Sequence, residues 1–152
     1  MTLTIEGLTG GYGNLTVLKD INFTVPAGKI VGLIGLNGAG KSTTIKHIIG
    51  LLTPQSGTIS LDGKTLHDDP TGFRADLAYV PETPVLYPEL TLREHLEMTI
   101  MAYDLDATVA WQDADNMLKM FRLDNKLDWF PAKFSKGMQQ KVMIVAAFMT
   151  HA

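Results

Sequence analysis

The chain has 152 residues, 45% of them hydrophobic, a formal net charge of −3 and no cysteine. That length suits one domain with a true core. The lack of cysteine excludes disulfides and cysteine-based zinc sites and suits a reducing compartment, and the charge leaves no basic stripe for nucleic acid.

The N-terminus, MTLTIEGLTGG, has neither the basic nor the apolar region of a signal peptide. LTIEGL (3–8) and TVLKDINFTV (16–25) alternate and predict strands. KIVGLIG (29–35) is a short apolar run, expected as a strand buried on both faces. Turns fall at Gly10-Gly11 and Pro26-Ala27-Gly28. After Gly40, Ile45, Ile48, Ile49 and Leu52 recur at helical spacing, with Gly50 as the stop. GTISLDG (57–63) reads as a strand ending in a tight Asp-Gly turn, and LAYVP (77–81) as another buried strand.

Residues 91–123 read as helical. Thr91 and Glu94 fit a capping box ahead of Leu92, Leu96, Ile100 and Met101, and Asp106 caps a second helix through Trp111, Met117, Leu118 and Phe121. Met98, Met101 and Tyr103 are expected in the core. Residues 124–134 form a loop with exposed aromatics. The last helix starts after Ser135 and carries VMIVAAFM (142–149), too short to cross a bilayer, so a membrane role would pass through a partner.

GLNGAGKS (35–42) fits G-x-x-x-x-G-K-[ST], with an apolar run before it and a helix after it. Gly35, Gly38 and Gly40 let the backbone curl so that successive N–H groups face an anion. The helix N-terminus adds partial positive charge. Lys41 brings a point charge to the β- and γ-phosphates, and Ser42 offers a hydroxyl to Mg²⁺. The loop by itself says P-loop NTPase. An Arg-bearing kinase lid is not evident, because residues 91–134 contain only Arg93 and Arg122.

With these motifs in order, the sequence resembles the ATP-binding subunits of ABC transporters. The resemblance runs along the whole chain: Tyr12 upstream of the loop, GLNGAGKSTT as the Walker A form, YVPETPVLYPELTLREHL at the Q-loop and helical-subdomain entry, and FSKGMQQKV at the signature usually written LSGGQ. The wording around PETPVLY and WFPAKFSKGM looks most like the Ecs-type members of the family. It implies an α/β P-loop fold of the ABC ATPase type, with an antiparallel β subdomain and a helical subdomain, reaching Ala152 before the Walker B strand. In that division residues 1–83 and 135–152 are nucleotide-binding core elements and 84–134 are the helical subdomain.

The resemblance further implies that ATP is held by Tyr12, which stacks on adenine, with Val17, Gly35, Asn37, Gly38, Ala39, Gly40, Lys41, Ser42 and Thr43. Mg²⁺ would take Ser42 and Glu82, the latter standing where the family usually has glutamine. Glu82 is also the one candidate for a catalytic carboxylate. Ser135, Lys136, Gly137, Met138 and Gln139 would contact ATP on a second ATPase subunit in a head-to-tail dimer, with Lys136 and Met138 departing from the usual Gly and Gln. A transmembrane permease would engage the Q-loop and helical subdomain, which places the protein in the cytoplasm on the inner face of the membrane. The family's Asp-Glu pair and later histidine are not in these residues, so the chain is expected to bind ATP without hydrolysing it, while the full-length parent is an ATPase. A binding fragment without turnover and a small-molecule kinase are the alternatives. None of the four histidines is assigned a catalytic role.

Overall fold

In a computed structural model describing all 152 residues, β1 (Leu3–Tyr12) and β2 (Leu15–Val25) form an antiparallel hairpin pairing Leu3 with Val25 and Tyr12 with Leu15. The turn between them is two residues long, with Gly13 at φ 56°, the left-handed conformation such a turn requires. β3 (Ser56–Leu61) lies on the other side of β1, and β4 (Lys64–Thr65) returns along it after Asp62-Gly63. Both turn residues have positive φ, 46° and 81°, the pattern that makes Asp-Gly a hairpin signal. The sheet order is β2-β1-β3-β4.

Ile5, Leu8, Leu18, Ile59 and Leu61 are buried from these strands. Phe73, on the short helix α2 (Pro70–Ala75), completes that core, and the Asp69 carboxylate caps α2 by accepting from Gly72 N at 2.9 Å. Helix α1 (Lys41–Ile48) leans on the same unit.

The chain divides into two compact units, Met1–Leu77 and Ala78–Ala152. The second is helical: α3 (Leu92–Ala102), α4 (Ala107–Phe121) and α5 (Lys136–Phe148), with single 3₁₀ turns at Asp124–Lys126 and Pro131–Lys133. Each long helix begins on its predicted cap. Thr91 Oγ1 accepts from Glu94 N while the Glu94 carboxylate accepts from Thr91 N at 2.7 Å, and Asp106 accepts from Val109 N at 3.0 Å. The Thr91 backbone and hydroxyl donors hold the Glu94 carboxyl below its ordinary value. Leu92, Leu96, Ala114, Leu118, Val142, Val145 and Met149 are fully buried in one core, each large aliphatic side chain contributing roughly 1.5–3 kcal/mol.

Several expectations are overturned. Residues 29–35 and 77–81 are not strands. A strand is completed by ladder partners, and the sheet contains β1 to β4 alone. Ile30 and Ile34 therefore stand at 103% and 92% exposure. On α1 the buried residues are Thr43, Thr44 and His47, and Ile45 is exposed. Met101 is 75% exposed and Tyr103 is also exposed, since both lie at the C-terminal end of α3 away from the packed stripe. Within the aromatic loop Trp129 and Phe130 are exposed as expected, whereas Phe134 is buried in the helical core.

Candidate phosphate-binding site

The loop 35–42 takes its shape from β2 beneath it. Gly40 is buried at φ 89°, and a Cβ there would lie 2.6 Å from Leu18 Cδ2 and 3.6 Å from Val17 Cγ1. The left-handed conformation is what calls for glycine here, and an added methyl would also have to push aside the end of the Leu18 side chain. Val17 thus supports the loop from below. The Leu36 carbonyl accepts from Ala39 N at 3.1 Å, closing a turn across Asn37 and Gly38, and Gly38 has φ 84°.

Helix α1 starts straight from Gly40 with no side-chain cap. Thr44 N donates to Gly40 O at 2.8 Å, so the preceding N–H groups are left as open donors at the positive end of the helix. α2, α3, α4 and α5 all carry an Asp, Thr or Ser cap. The Lys41 ammonium folds back over the loop and donates to Gly35 O at 2.7 Å and Leu36 O at 2.8 Å. The Ser42 side chain is exposed beside it. Thr44 Oγ1 donates to Gly40 O at 3.0 Å, fixing the first turn.

Tyr12, at the end of β1, is 45% exposed and reaches the same helix. Its hydroxyl accepts from Lys46 Nζ at 3.2 Å, and that ammonium sits 5.3 Å from the ring centroid. Hydrogen bonding from Thr43 and then Lys46 lowers the phenol pKa. The ring is consequently tethered one helical turn from the phosphate loop with much of its surface open. Lys46 escaped the sequence reading, and its only signal there is a basic residue five positions after Lys41. His47 has a packing role: Nδ1 meets Thr43 O at 2.8 Å, and Nε2 is buried without a partner against the Gly10 backbone.

The remaining named residues lie in the second unit. Ser135 Oγ accepts from Met138 N at 3.3 Å as the α5 cap. Lys136 and Gly137 are exposed. Met138 packs against the helical core, and Gln139 Nε2 donates to Pro131 O at 3.0 Å. Three of the five signature positions, Ser135, Met138 and Gln139, are therefore engaged within their own unit. Glu82 is an exposed bend residue, and Gln140 Nε2 ties down the Pro81 carbonyl just before it at 2.8 Å. No group of three or more His, Asp or Glu side chains is gathered for a metal ion.

The family model described as ABC transporter matches residues 18–152. The chain belongs to the ABC transporter family. It is 58% identical over 147 residues to the ABC-type transporter ATP-binding protein EcsA of Bacillus subtilis strain 168, covering 97% of this chain and 60% of that protein. It superposes with a TM-score of 0.94 and 54% identity on a structure titled as the ATP binding subunit of an ABC transporter, covering 99% of this chain and 62% of that one. CbiO1 from Clostridium perfringens, described as part of the ABC transporter complex cbiONQ, shares the fold with a TM-score of 0.81 at 24% identity. The fold is therefore the α/β ABC ATPase fold, and the chain spans about three-fifths of the length of these ABC proteins.

Proposed function

We propose that this chain is the nucleotide-binding part of an ABC transporter ATP-binding subunit, which couples ATP binding and hydrolysis to transport through a separate membrane protein. The observation that supports it is the uncapped start of α1 at Gly40, with the Lys41 ammonium poised over the loop. Open N–H donors, helix dipole and the Lys41 ammonium converge where a phosphate chain would lie. Gly35, Asn37, Gly38, Ala39, Gly40, Lys41, Ser42 and Thr43 form the cradle, and Val17 backs it. The Ser42 hydroxyl suits Mg²⁺, which keeps waters and phosphate oxygens as its other ligands and would neutralise phosphate charge there.

Tyr12 supplies the adenine platform in this reading. Its exposed, tethered ring is what a stacking surface needs. Tyr12→Ala is expected to weaken ATP binding by about 1–3 kcal/mol, while Tyr12→Trp keeps it. Equal affinity of wild type and Tyr12→Ala in a nucleotide titration would remove the residue from the site.

Ser135, Lys136 and Gly137 are proposed to meet ATP bound to a second ATPase subunit, at the positive end of α5, with Met138 and Gln139 holding the turn. A permease is proposed to dock on the Q-loop segment and helical subdomain, placing the protein at the inner face of the membrane. No helix is long and apolar enough to cross one. In a full-length subunit, Ser135→Arg is expected to leave monomer nucleotide binding intact and abolish ATP-driven pairing. Pairing that persists in sedimentation with ATP would reduce Ser135 to its capping role.

A further inference from the structure

Asn37 is followed by Gly38, and among the five asparagines, Asn14, Asn22, Asn37, Asn116 and Asn125, it alone precedes glycine. Glycine has no side chain to shield its backbone nitrogen from the preceding carboxamide. The setting removes the remaining restraints. Asn37 and Gly38 are exposed, a Cβ placed on Gly38 would meet nothing within 4 Å, and neither the Asn37 carboxamide nor the Gly38 N–H has a hydrogen-bond partner. Asn22 is the opposite case: its Oδ1 accepts from Gly7 N at 2.7 Å, and its Nδ2 donates to Asp20 O at 2.8 Å and Asp20 Oδ1 at 2.9 Å. Asn116 lies within α4, where its following amide is held by the helix.

We propose that Asn37 is a self-modification site: it deamidates within the phosphate loop, the product no longer accepts a nucleotide, and bound nucleotide guards against the change. The chemistry is closed on this chain and water. The Gly38 amide nitrogen, deprotonated by hydroxide, attacks Asn37 Cγ. The Cγ–Nδ2 bond breaks, ammonia leaves, and a five-membered succinimide forms. Water then adds to one of its two carbonyls and breaks that carbonyl's bond to the Gly38 nitrogen, which takes back a proton. The products are aspartate, or isoaspartate with the chain rerouted through the side chain, and nothing is oxidised or reduced.

Both products place a carboxylate in a turn whose neighbours, the α1 N–H groups and Lys41, are arranged for an anion. The new charge satisfies those donors from within and repels a phosphate. Isoaspartate also lengthens the backbone by one methylene in a loop held at its far end against Leu18. A phosphate chain seated in the cradle would engage the Gly38 N–H and fix the turn, which removes the nucleophile. An idle loop would age faster than an occupied one. This rests on the phosphate-loop reading, so the test separates the two.

The purified 152-residue chain is incubated at mildly alkaline pH with and without ATP and Mg²⁺, and conversion at each asparagine is followed by peptide mass mapping. Asn37 is expected to convert at least tenfold faster than the mean of the other four, and saturating ATP to slow it severalfold. Asn37→Asp is expected to bind nucleotide about a hundredfold more weakly than freshly purified wild type, as one unit charge beside a phosphate predicts. Affinity of the wild type should decay with time in step with conversion, while that of Asn37→Gln stays at its own starting value. Conversion at Asn37 no faster than at Asn125 overturns the proposal, and so does wild-type affinity in Asn37→Asp. If the fresh chain binds no nucleotide at all, the phosphate-loop reading fails and the guarding role falls with it, whatever the rate at Asn37.

Discussion

The 152-residue chain is expected to bind ATP through Lys41 and to release no phosphate above background. Phosphoryl transfer is catalysed by positioning and charge neutralisation: a cradle, a metal held by carboxylate or hydroxyl oxygens, and a group that orients the attacking water. The proposed cradle runs from Gly35 to Thr43, with the uncapped start of α1 inside it. For a metal the same unit offers one hydroxyl in the proposed site, that of Ser42. The sequence contains no Asp-Glu pair, and no cluster of acidic side chains is assembled elsewhere. Lys41→Ala removes charge-assisted hydrogen bonds to the phosphates and is expected to weaken binding by about 1.5–3 kcal/mol, roughly ten- to hundredfold. Titration with a fluorescent ATP analogue reads the first effect, and a phosphate-release assay on wild type and Lys41→Ala reads the second. Lys41-dependent turnover would show that Glu82 or another residue orients water, and the division of labour proposed for this chain would be wrong.

The largest effect on stability is expected at Gly57. It sits where the pairing of β1 with β3 shifts register between Glu6 and Thr9, at φ 89°. A Cβ at Gly57 would come within 2.3 Å of Gly7 O and 2.4 Å of Gly7 C, backbone atoms that cannot rotate away. Gly57→Ala therefore combines a left-handed conformation with a collision at the centre of the sheet, and about 3 kcal/mol or more of destabilisation is expected. Gly63→Ala is the matched control. Its φ is 81° but nothing lies within 4 Å of the added carbon, so the conformational cost of about 1–2 kcal/mol stands by itself. Urea unfolding followed by circular dichroism compares them. Equal midpoints for the two variants would show that β3 slides to relieve the contact.

Local chemistry was the legible part of the sequence. The Thr91–Glu94 box, the Asp106 and Ser135 caps, and the Asp62-Gly63 turn all depend on residues within four positions of each other, and all stand where the pattern put them. The phosphate loop belongs to the same class, because its shape is written by three glycines and a helix start. Burial was less legible, since it is decided by neighbours distant in sequence. On α1 the isoleucines have the helical period, yet Thr43, Thr44 and His47 are the inward residues. Glycines in β1 leave the room: a Cβ at Gly10 would strike the His47 ring. Apolar content marked the wrong stripe, because packing of α1 against the sheet, with room at Gly10, chooses the inward face. The runs 29–35 and 77–81 carry the composition of buried strands, but hydrogen-bond partners are not a property of the run, and here the sheet ends without them.

The posture of Lys41 bears on what the loop will accept. Its ammonium already holds the carbonyls of Gly35 and Leu36, so the loop is its own first ligand. An anion that takes Lys41 as a partner must displace those oxygens, so that contact is an exchange of partners in place of a simple capture. A monovalent anion replaces two short hydrogen bonds with little surplus. A polyphosphate brings several oxygens and multiple charges, reaching the backbone donors and the lysine together, and the exchange then runs forward. Under the proposed function, the fold-back would favour polyphosphates over anions of single charge.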